Sequence, residues 1–366
     1  MKRATTIPPG TRERIRKNLL GWFRTNSRAM PWRSTRDPYR IWVAEVLLQQ
    51  TRVRAALPSY ERFLRRFPPV RALAAASPSE VLRAWSGLGY YARARNLHAA
   101  AREIVSRHGG RIPEDRAALL RLPGIGPYTA AALLSFIHSR REGVVDGNIA
   151  RVLARLFLVP GDPRSGPVLE RLRGIAGDLV PPRRARDFNL AMMDLGSTVC
   201  RPRSPRCPEC PLAGVCRACR RGLQGRYPQT APRARPVRIE RLVGVLEDGD
   251  RLLLVPRPQR GLLAGMWELP GCDGGPDGAG RLSRRLSESW GVRVRPAGEV
   301  AVAEHSITNR RIRIRAFRAG VPRRARIPEG RWVRRRDLSR YPITTATRKI
   351  LERLREAGGA MRGGPG

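Results

Sequence analysis

Two carboxylates and a group of cysteines stand where their spacing permits chemistry. Glu45 lies in Ile41-Trp-Val-Ala-Glu-Val-Leu-Leu-Gln-Gln-Thr51. Ile41 precedes it by four residues and Leu48 follows by three, so on a helix the carboxylate shares an apolar face. Burial there raises a carboxyl pKa and keeps the group protonated, as a general acid requires. The plainer alternative is a Glu flanking a core stripe. Asp146 lies in Val144-Val-Asp-Gly-Asn-Ile-Ala-Arg-Val-Leu-Ala-Arg155, just before the periodic run Ile149, Val152, Leu153 and Leu156. That position is an N-cap, and a helix N-terminus also favours an ionised carboxylate. A protonated acid beside an anion is the pairing used to break a glycosidic bond, whose transition state carries positive charge on the sugar.

Cys200, Cys207, Cys210 and Cys216 are separated by six, two and five residues. Four thiolates on one short loop can hold zinc or a four-iron cluster. Zinc sites usually show two close pairs, whereas this loop has one Cys-x-x-Cys flanked by singles. Cys219 falls outside the spacing and reads as a spare thiol, and Cys272 has no partner nearby in sequence. Leu122-Pro-Gly-Ile-Gly-Pro-Tyr-Thr-Ala130 is a turn between two helical stretches. It is either a plain helix connection or a phosphate cradle. In a cradle, the N–H groups around Gly124 and Gly126 and the following helix dipole grip the backbone of a nucleic acid without reading sequence.

The elements that position these residues follow from periodicity. Apolar residues recur three and four apart in Ile15–Leu19–Trp22–Phe23, Ile41–Ala44–Leu48 and Ala130–Leu133–Leu134–Ile137, predicting consecutive helices up to about Cys200. Arg220–Pro236, rich in Arg, Pro and Gly, reads as a connector. Beyond it, Val237–Leu246, Arg251–Val255, Val292–Arg295 and Ile312–Phe317 read as strands, and Gly280–Trp290 and Thr344–Arg355 as helices. The expected division is a helical domain at 1–219, a linker at 220–236, a smaller α/β domain at 237–357 and a disordered tail at 358–366.

The whole chain of 366 residues carries 72 Lys and Arg against 30 acidic residues, a formal charge of +42. Such a field gathers polyanions, nucleic acid first among them. A GC-rich genome, which encodes Arg wherever a cation is tolerated, is the competing explanation, and lysine occurs only at Lys2, Lys17 and Lys349. The N-terminus lacks the apolar stretch of a signal peptide, and no apolar run approaches the ~18 residues of a membrane span. A cytoplasmic protein that binds no membrane is expected, with reduced cysteines available to metal.

Met30-Pro-Trp-Arg33, EVLLQQT, Gly87-Leu-Gly-Tyr-Tyr-Ala-Arg-Ala-Arg-Asn-Leu97, LPGIGPYTA, VDGNIARVLAR and the cysteine loop occur in one order. In that order they resemble the MutY-type adenine DNA glycosylases of the endonuclease III superfamily. The resemblance implies an all-α helix-hairpin-helix domain with a [4Fe–4S] loop at 200–216, and excision of adenine opposite 8-oxoguanine or guanine in duplex DNA. It implies that Glu45 protonates the adenine and activates water, that Asp146 stabilises the cationic sugar, and that Tyr128 and Asn148 support both. Trp32, Arg33 and Leu48 would line the base pocket. Gln49, Gln50, Thr51, Leu88, Tyr90 and Thr129 would contact DNA, as would Gly124 and Gly126. Where bifunctional relatives carry the Schiff-base lysine this chain has Tyr128, and a phenol forms no imine. A monofunctional hydrolase is therefore expected. Leu190 follows Phe188-Asn189 where family members often carry Glu or Gln, removing one possible hydrogen bond to the base.

The second domain resembles the Nudix-like C-terminal domain of the same family through Gly261-Leu-Leu-Ala-Gly-Met-Trp-Glu-Leu-Pro-Gly271 and the helix after it. Arg285 and Ser289 replace glutamates that Nudix hydrolases use for magnesium, leaving Glu288 alone, so a reader of the opposite base is expected rather than a hydrolase. The family's Phe-Ser-His reader loop corresponds to Ile307, Thr308 and Asn309. A monomer acting on the nucleoid is expected. Two alternatives remain open at this stage: a thymine or uracil mismatch glycosylase, and a non-catalytic iron–sulfur protein that binds DNA lesions.

Overall fold

The computed structural model describes residues 7–232, 235–258, 260–275, 277–307, 309–322 and 325–360. It divides into two compact units, 1–74 with 99–232 and 75–98 with 233–366. The segment carrying Leu88 and Tyr90 thus groups with the C-terminal residues rather than with its sequence neighbours.

The helices up to residue 220 are α1 (Pro9–Asn26), α2 (Pro38–Leu48), α3 (Val53–Arg66), α4 (Val70–Ala75), α5 (Pro78–Ala84), α6 (Ala92–His108), α7 (Arg116–Arg121), α8 (Pro127–His138), α9 (Gly147–Phe157), α10 (Gly166–Leu179), α11 (Ala185–Thr198) and α12 (Arg217–Arg220); α5 and the start of α6 fall in the second unit, and the first unit is otherwise built of the rest. Asp37 starts α2 by accepting from the N–H groups of Tyr39 at 2.8 Å and Arg40 at 3.2 Å. The periodic residues read from the sequence form the core, with Ile15, Leu19, Trp42, Leu47, Phe63 and Phe188 buried. Helix α2 packs on α8 and α9 on α11, which assembles the loci of Glu45, Tyr128 and Asp146. The expected connector is anchored along this unit as far as Ala231. Arg155 donates to the Tyr227 carbonyl at 2.8 Å, and the Ala231 N–H donates to Asp162 at 3.0 Å.

The second unit holds β1 (Val237–Asp248), β2 (Arg251–Pro256), β3 (Trp267–Glu268), β4 (Gly271–Asp273), α13 (Gly278–Trp290), β5 (Arg295–Ile307), β6 (Arg310–Gly320), β7 (Arg331–Arg334) and α14 (Thr345–Ala360). The sheet order is β3-β2-β1-β6-β5, with β4 on β1 and β7 on β2. Strands β1 and β6 run parallel, Val237 opposite Arg310 through Leu246 opposite Ala319, while the other pairs are antiparallel. Alternation splits the core in two. Val243, Val245, Leu252 and Leu254 face Ile350 and Leu351 of α14, while Leu242, Leu246 and Leu253 face Leu282 and Leu286 of α13.

One expected element is displaced. Val292–Arg295 is not a strand, because α13 ends at Gly291 in the left-handed region and β5 starts only at Arg295. Helix α14 continues to Ala360, and the rest of the expected tail lies outside the described residues.

Candidate active site

Glu45 occupies the third turn of α2 and is 5% exposed. Its Oε2 accepts a hydrogen bond from the Tyr128 hydroxyl, in the first turn of α8, at 2.9 Å. Burial raises its pKa to about 7, and the charge of Asp146 adds to the rise while Tyr128 and Arg33 oppose it. A substantial share of the carboxyl is therefore protonated at neutrality, and most of it below about pH 6. Tyr128 is held well above 10, first by burial and then by the two neighbouring carboxylates, so its phenol stays a donor.

Asp146 is the N-cap of α9. One oxygen accepts from the Ile149 N–H at 2.7 Å and the other from Asn148 Nδ2 at 3.1 Å. Burial pushes its pKa up, and these bonds with the Arg151 charge pull against that. The pair thus divides: Glu45 has one hydroxyl donor in a dry setting, while Asp146 sits on a helix terminus ringed by donors.

The remaining residues named from the sequence fall into three groups. Trp32 is buried edge-on against Tyr60, ring centroids 5.2 Å apart, and Leu48 is half-buried at the end of α2. Both terminal nitrogens of Arg33 are engaged by Asp194, at 2.7 and 2.9 Å, although Arg33 is near enough to lower the pKa of Glu45. Gln49 donates to Thr129 at 3.3 Å, joining α2 to α8. Gln50 is exposed with φ of 58°, and the Thr51 N–H donates to the Leu48 carbonyl at 3.2 Å. Gly124, at φ of 76°, permits the turn into α8. Gly126 then starts that helix with no side-chain cap, leaving its first-turn N–H groups for another acceptor.

In the second unit Tyr90 is 44% exposed and also left-handed, at φ of 48°. The Arg93 guanidinium lies 5.7 Å from its ring centroid and donates to the Leu88 and Gly89 carbonyls, both at 3.3 Å. Asn309 is exposed in the turn between β5 and β6, its carbonyl accepting from the Val237 N–H at 2.8 Å. Thr308 lies outside the described residues.

The cysteine loop closes on α9. Cys200, Cys207, Cys210, Cys216 and Cys219 all line one cavity, about 310 Å³ of space that includes its open mouth. Arg155, 3% exposed, donates to Cys200 Sγ at 3.3 Å and to the Arg201 and Pro202 carbonyls at 2.8 and 3.1 Å. Among the described residues, no three His, Cys, Asp or Glu side chains form a group able to hold a metal ion.

Residues 43–176 match the model of the HhH-GPD superfamily base excision DNA repair protein, and residues 242–353 match a NUDIX domain. The adenine DNA glycosylase of Rattus norvegicus is 34% identical over 397 residues, spanning 92% of this chain and 77% of the relative. The chain belongs to the adenine DNA glycosylase family. The family enzyme of Mycobacterium tuberculosis is 42% identical over 190 residues, 51% of this chain and 62% of its own. A thermostable thymine-DNA glycosylase structure superposes with a TM-score of 0.53 at 32% identity, over 58% of this chain and 98% of that one.

Several residues that hold these side chains in place were given no role from the sequence alone. Arg151 donates to the Cys200 carbonyl at 2.9 Å and to Asn148 Oδ1 at 2.9 Å, and Asn148 in turn holds Asp146. Asn189 donates to Ser135 at 2.8 Å and accepts from the Val144 N–H at 3.3 Å, fixing the segment that leads into Asp146. Gly196 of α11 meets Asn148 so closely that a Cβ there would lie 2.8 Å from the Asn148 Cβ. Arg151 is in the quoted VDGNIARVLAR motif, but nothing in that string says which carbonyl it reaches. Gly196 had no signal beyond being a helical glycine.

Proposed function

We propose that the enzyme removes adenine paired with 8-oxoguanine, and more slowly adenine paired with guanine, by monofunctional hydrolysis in duplex DNA. The observation that carries this reading is the buried Glu45 carboxyl, with its pKa raised to about 7 and its Oε2 bonded to Tyr128 at 2.9 Å. A carboxyl so held delivers a proton to the departing base and can then serve as base for the attacking water. The donors around Asp146 oppose the effect of its burial and favour the anion, which would face the positive charge that develops on the sugar. Tyr128 steadies Glu45, and Asn148 steadies Asp146. Because Tyr128 cannot form an imine, the product is an intact abasic strand.

Base flipping is required, since the bond to be broken is inaccessible in the stack. Trp32, Arg33 and Leu48 border the flipped base, Arg33 through its backbone and stem, given its engagement with Asp194. Gln49, Gln50, Thr51, Leu88 and Tyr90 act where the duplex opens. Gly124, Gly126 and Thr129 hold a phosphate at the uncapped start of α8. Thr308 and Asn309 read the opposite base, and the domain at 237–357 serves recognition rather than hydrolysis. The enzyme works as a monomer on chromosomal DNA.

The cysteine cavity suits a [4Fe–4S] cluster held by Cys200, Cys207, Cys210 and Cys216. Four thiols lining one cavity are the donor set that such a cluster takes. When bound, the cluster supplies loop closure and positive charge for the thiolates, and takes no part in bond cleavage.

Single-turnover base release from duplexes carrying adenine opposite 8-oxoguanine, adenine opposite guanine, and thymine opposite guanine tests the reading. Adenine release fastest opposite 8-oxoguanine, with strand breaks only after alkali, is expected. Preferential thymine release, or breaks without alkali, contradicts it.

A further inference from the structure

Five cysteines, one more than a four-iron cluster needs, line the cavity of the cysteine loop. Three of the expected ligands have sulfur contacts from fixed donors: Cys200 from Arg155 Nη1 at 3.3 Å, Cys210 from the Leu212 N–H, and Cys216 from the N–H groups of Ala218 and Cys219. Cys207 differs. It sits on the single turn Cys207–Glu209, and its hydrogen-bond partner is the thiol of Cys219, carried by α12. The fifth thiol therefore stands beside one particular ligand and faces the same cavity.

We propose that Cys219 is a reserve ligand of the cluster, able to take over the iron corner of Cys207 when that ligand is lost. The proposal rests on the cluster reading given above. The exchange balances without an oxidant or reductant. The Cys219 proton passes to the Cys207 thiolate along their hydrogen bond, the iron–sulfur bond to Cys207 breaks, and one to Cys219 forms. Cluster charge and oxidation state are unchanged. Cys207, on its single turn, and Cys219, on α12, line the same cavity.

Iron and sulfide content per monomeric chain, measured after anaerobic purification, tests this in the full-length wild type and in Cys207→Ala, Cys219→Ala, Cys210→Ala and the 207/219 double variant. The proposal expects about four irons in the wild type and in Cys219→Ala, most of that retained in Cys207→Ala, and loss in Cys210→Ala and the double variant. Iron in the wild type with Cys207→Ala as empty as the double variant overturns the proposal while leaving the cluster reading intact. An iron-free wild type overturns both. A second measurement does not depend on Cys207→Ala folding. Transfer of iron to a strong chelator should be several-fold faster from Cys219→Ala than from wild type, because a corner that opens is no longer recaptured. Equal rates contradict the reserve role.

Discussion

At the scale of single residues, the site turns on two buried carboxyls with different surroundings, one with a single hydroxyl donor and the other ringed by donors that oppose its burial. Glu45 gains its high pKa first from burial, and the Tyr128 hydrogen bond partly opposes that rise. Tyr128→Phe should therefore move the alkaline limb of the rate–pH profile to higher pH and cost about 1 kcal/mol of stability through the lost hydrogen bond. A shift to lower pH in a single-turnover series would contradict the assigned donor. Burial of Glu45 also has a stability signature. A carboxyl whose folded pKa is raised contributes stability in full below its unfolded value, and loses it as pH rises through the folded value. The interval from 4.5 to about 7 corresponds to roughly 3 kcal/mol lost by pH 8. Glu45→Gln, which cannot ionise, should gain melting temperature over wild type between pH 5 and pH 8, followed by calorimetry. A difference that stays flat across that range would mean Glu45 is not held in a dry setting.

At the scale of elements, α9 connects the two chemistries. Its N-terminus is capped by Asp146, and its second and third turns send Arg151 and Arg155 to the cysteine loop. Helix α11 approaches it at Gly196, where an added Cβ would strike Asn148. Gly196→Ala should cost about 1–3 kcal/mol as an overpacking change. Because the strain falls on the residue that orients Asp146, base release should slow by about tenfold or more while DNA affinity holds. Parallel melting and single-turnover assays check this, and unchanged rates would separate α11 from the site. How much of this could be read from the sequence depends on the range of the interaction. Periodicity exposed α2 and α8 and the half-buried faces of β1 and β2, since those signals are local. Strand β5 was hidden by its Arg295-Pro-Ala-Gly start and by register shifts near Glu299, features poor in strand-forming residues. Strands β3 and β4 are too short to show alternation. Glu45, Asp146 and Tyr128 stood out through motif and chemistry. Asp194, Asn189 and Gly196 did not, because their partners lie roughly 45 or more residues away in the chain and meet them only in the fold.

At the scale of the whole molecule, a formal charge of +42 makes DNA affinity a matter of counterion release. A footprint of about 6–10 phosphates predicts a loss of roughly 10³–10⁵ in affinity between about 50 and 200 mM salt. Anisotropy titrations on undamaged duplex check it, and a slope near zero would reassign the arginine excess to genome composition. No helix among the described residues is long and apolar enough to cross a membrane. The superposition on a thymine-DNA glycosylase shows that the helical fold does not by itself choose the base. In the proposed reading that choice falls to the pocket and to the second unit, and the chemistry to Glu45. The most direct test is the single-turnover rate of adenine release from a duplex with 8-oxoguanine opposite adenine, followed from pH 5 to pH 9 in wild type and Glu45→Gln. The wild-type rate should fall as pH rises through about 7, and the variant should be slower by about 10²–10⁴ with no inflection there. Equal rates, or the same inflection in both, would remove Glu45 from the role assigned to it.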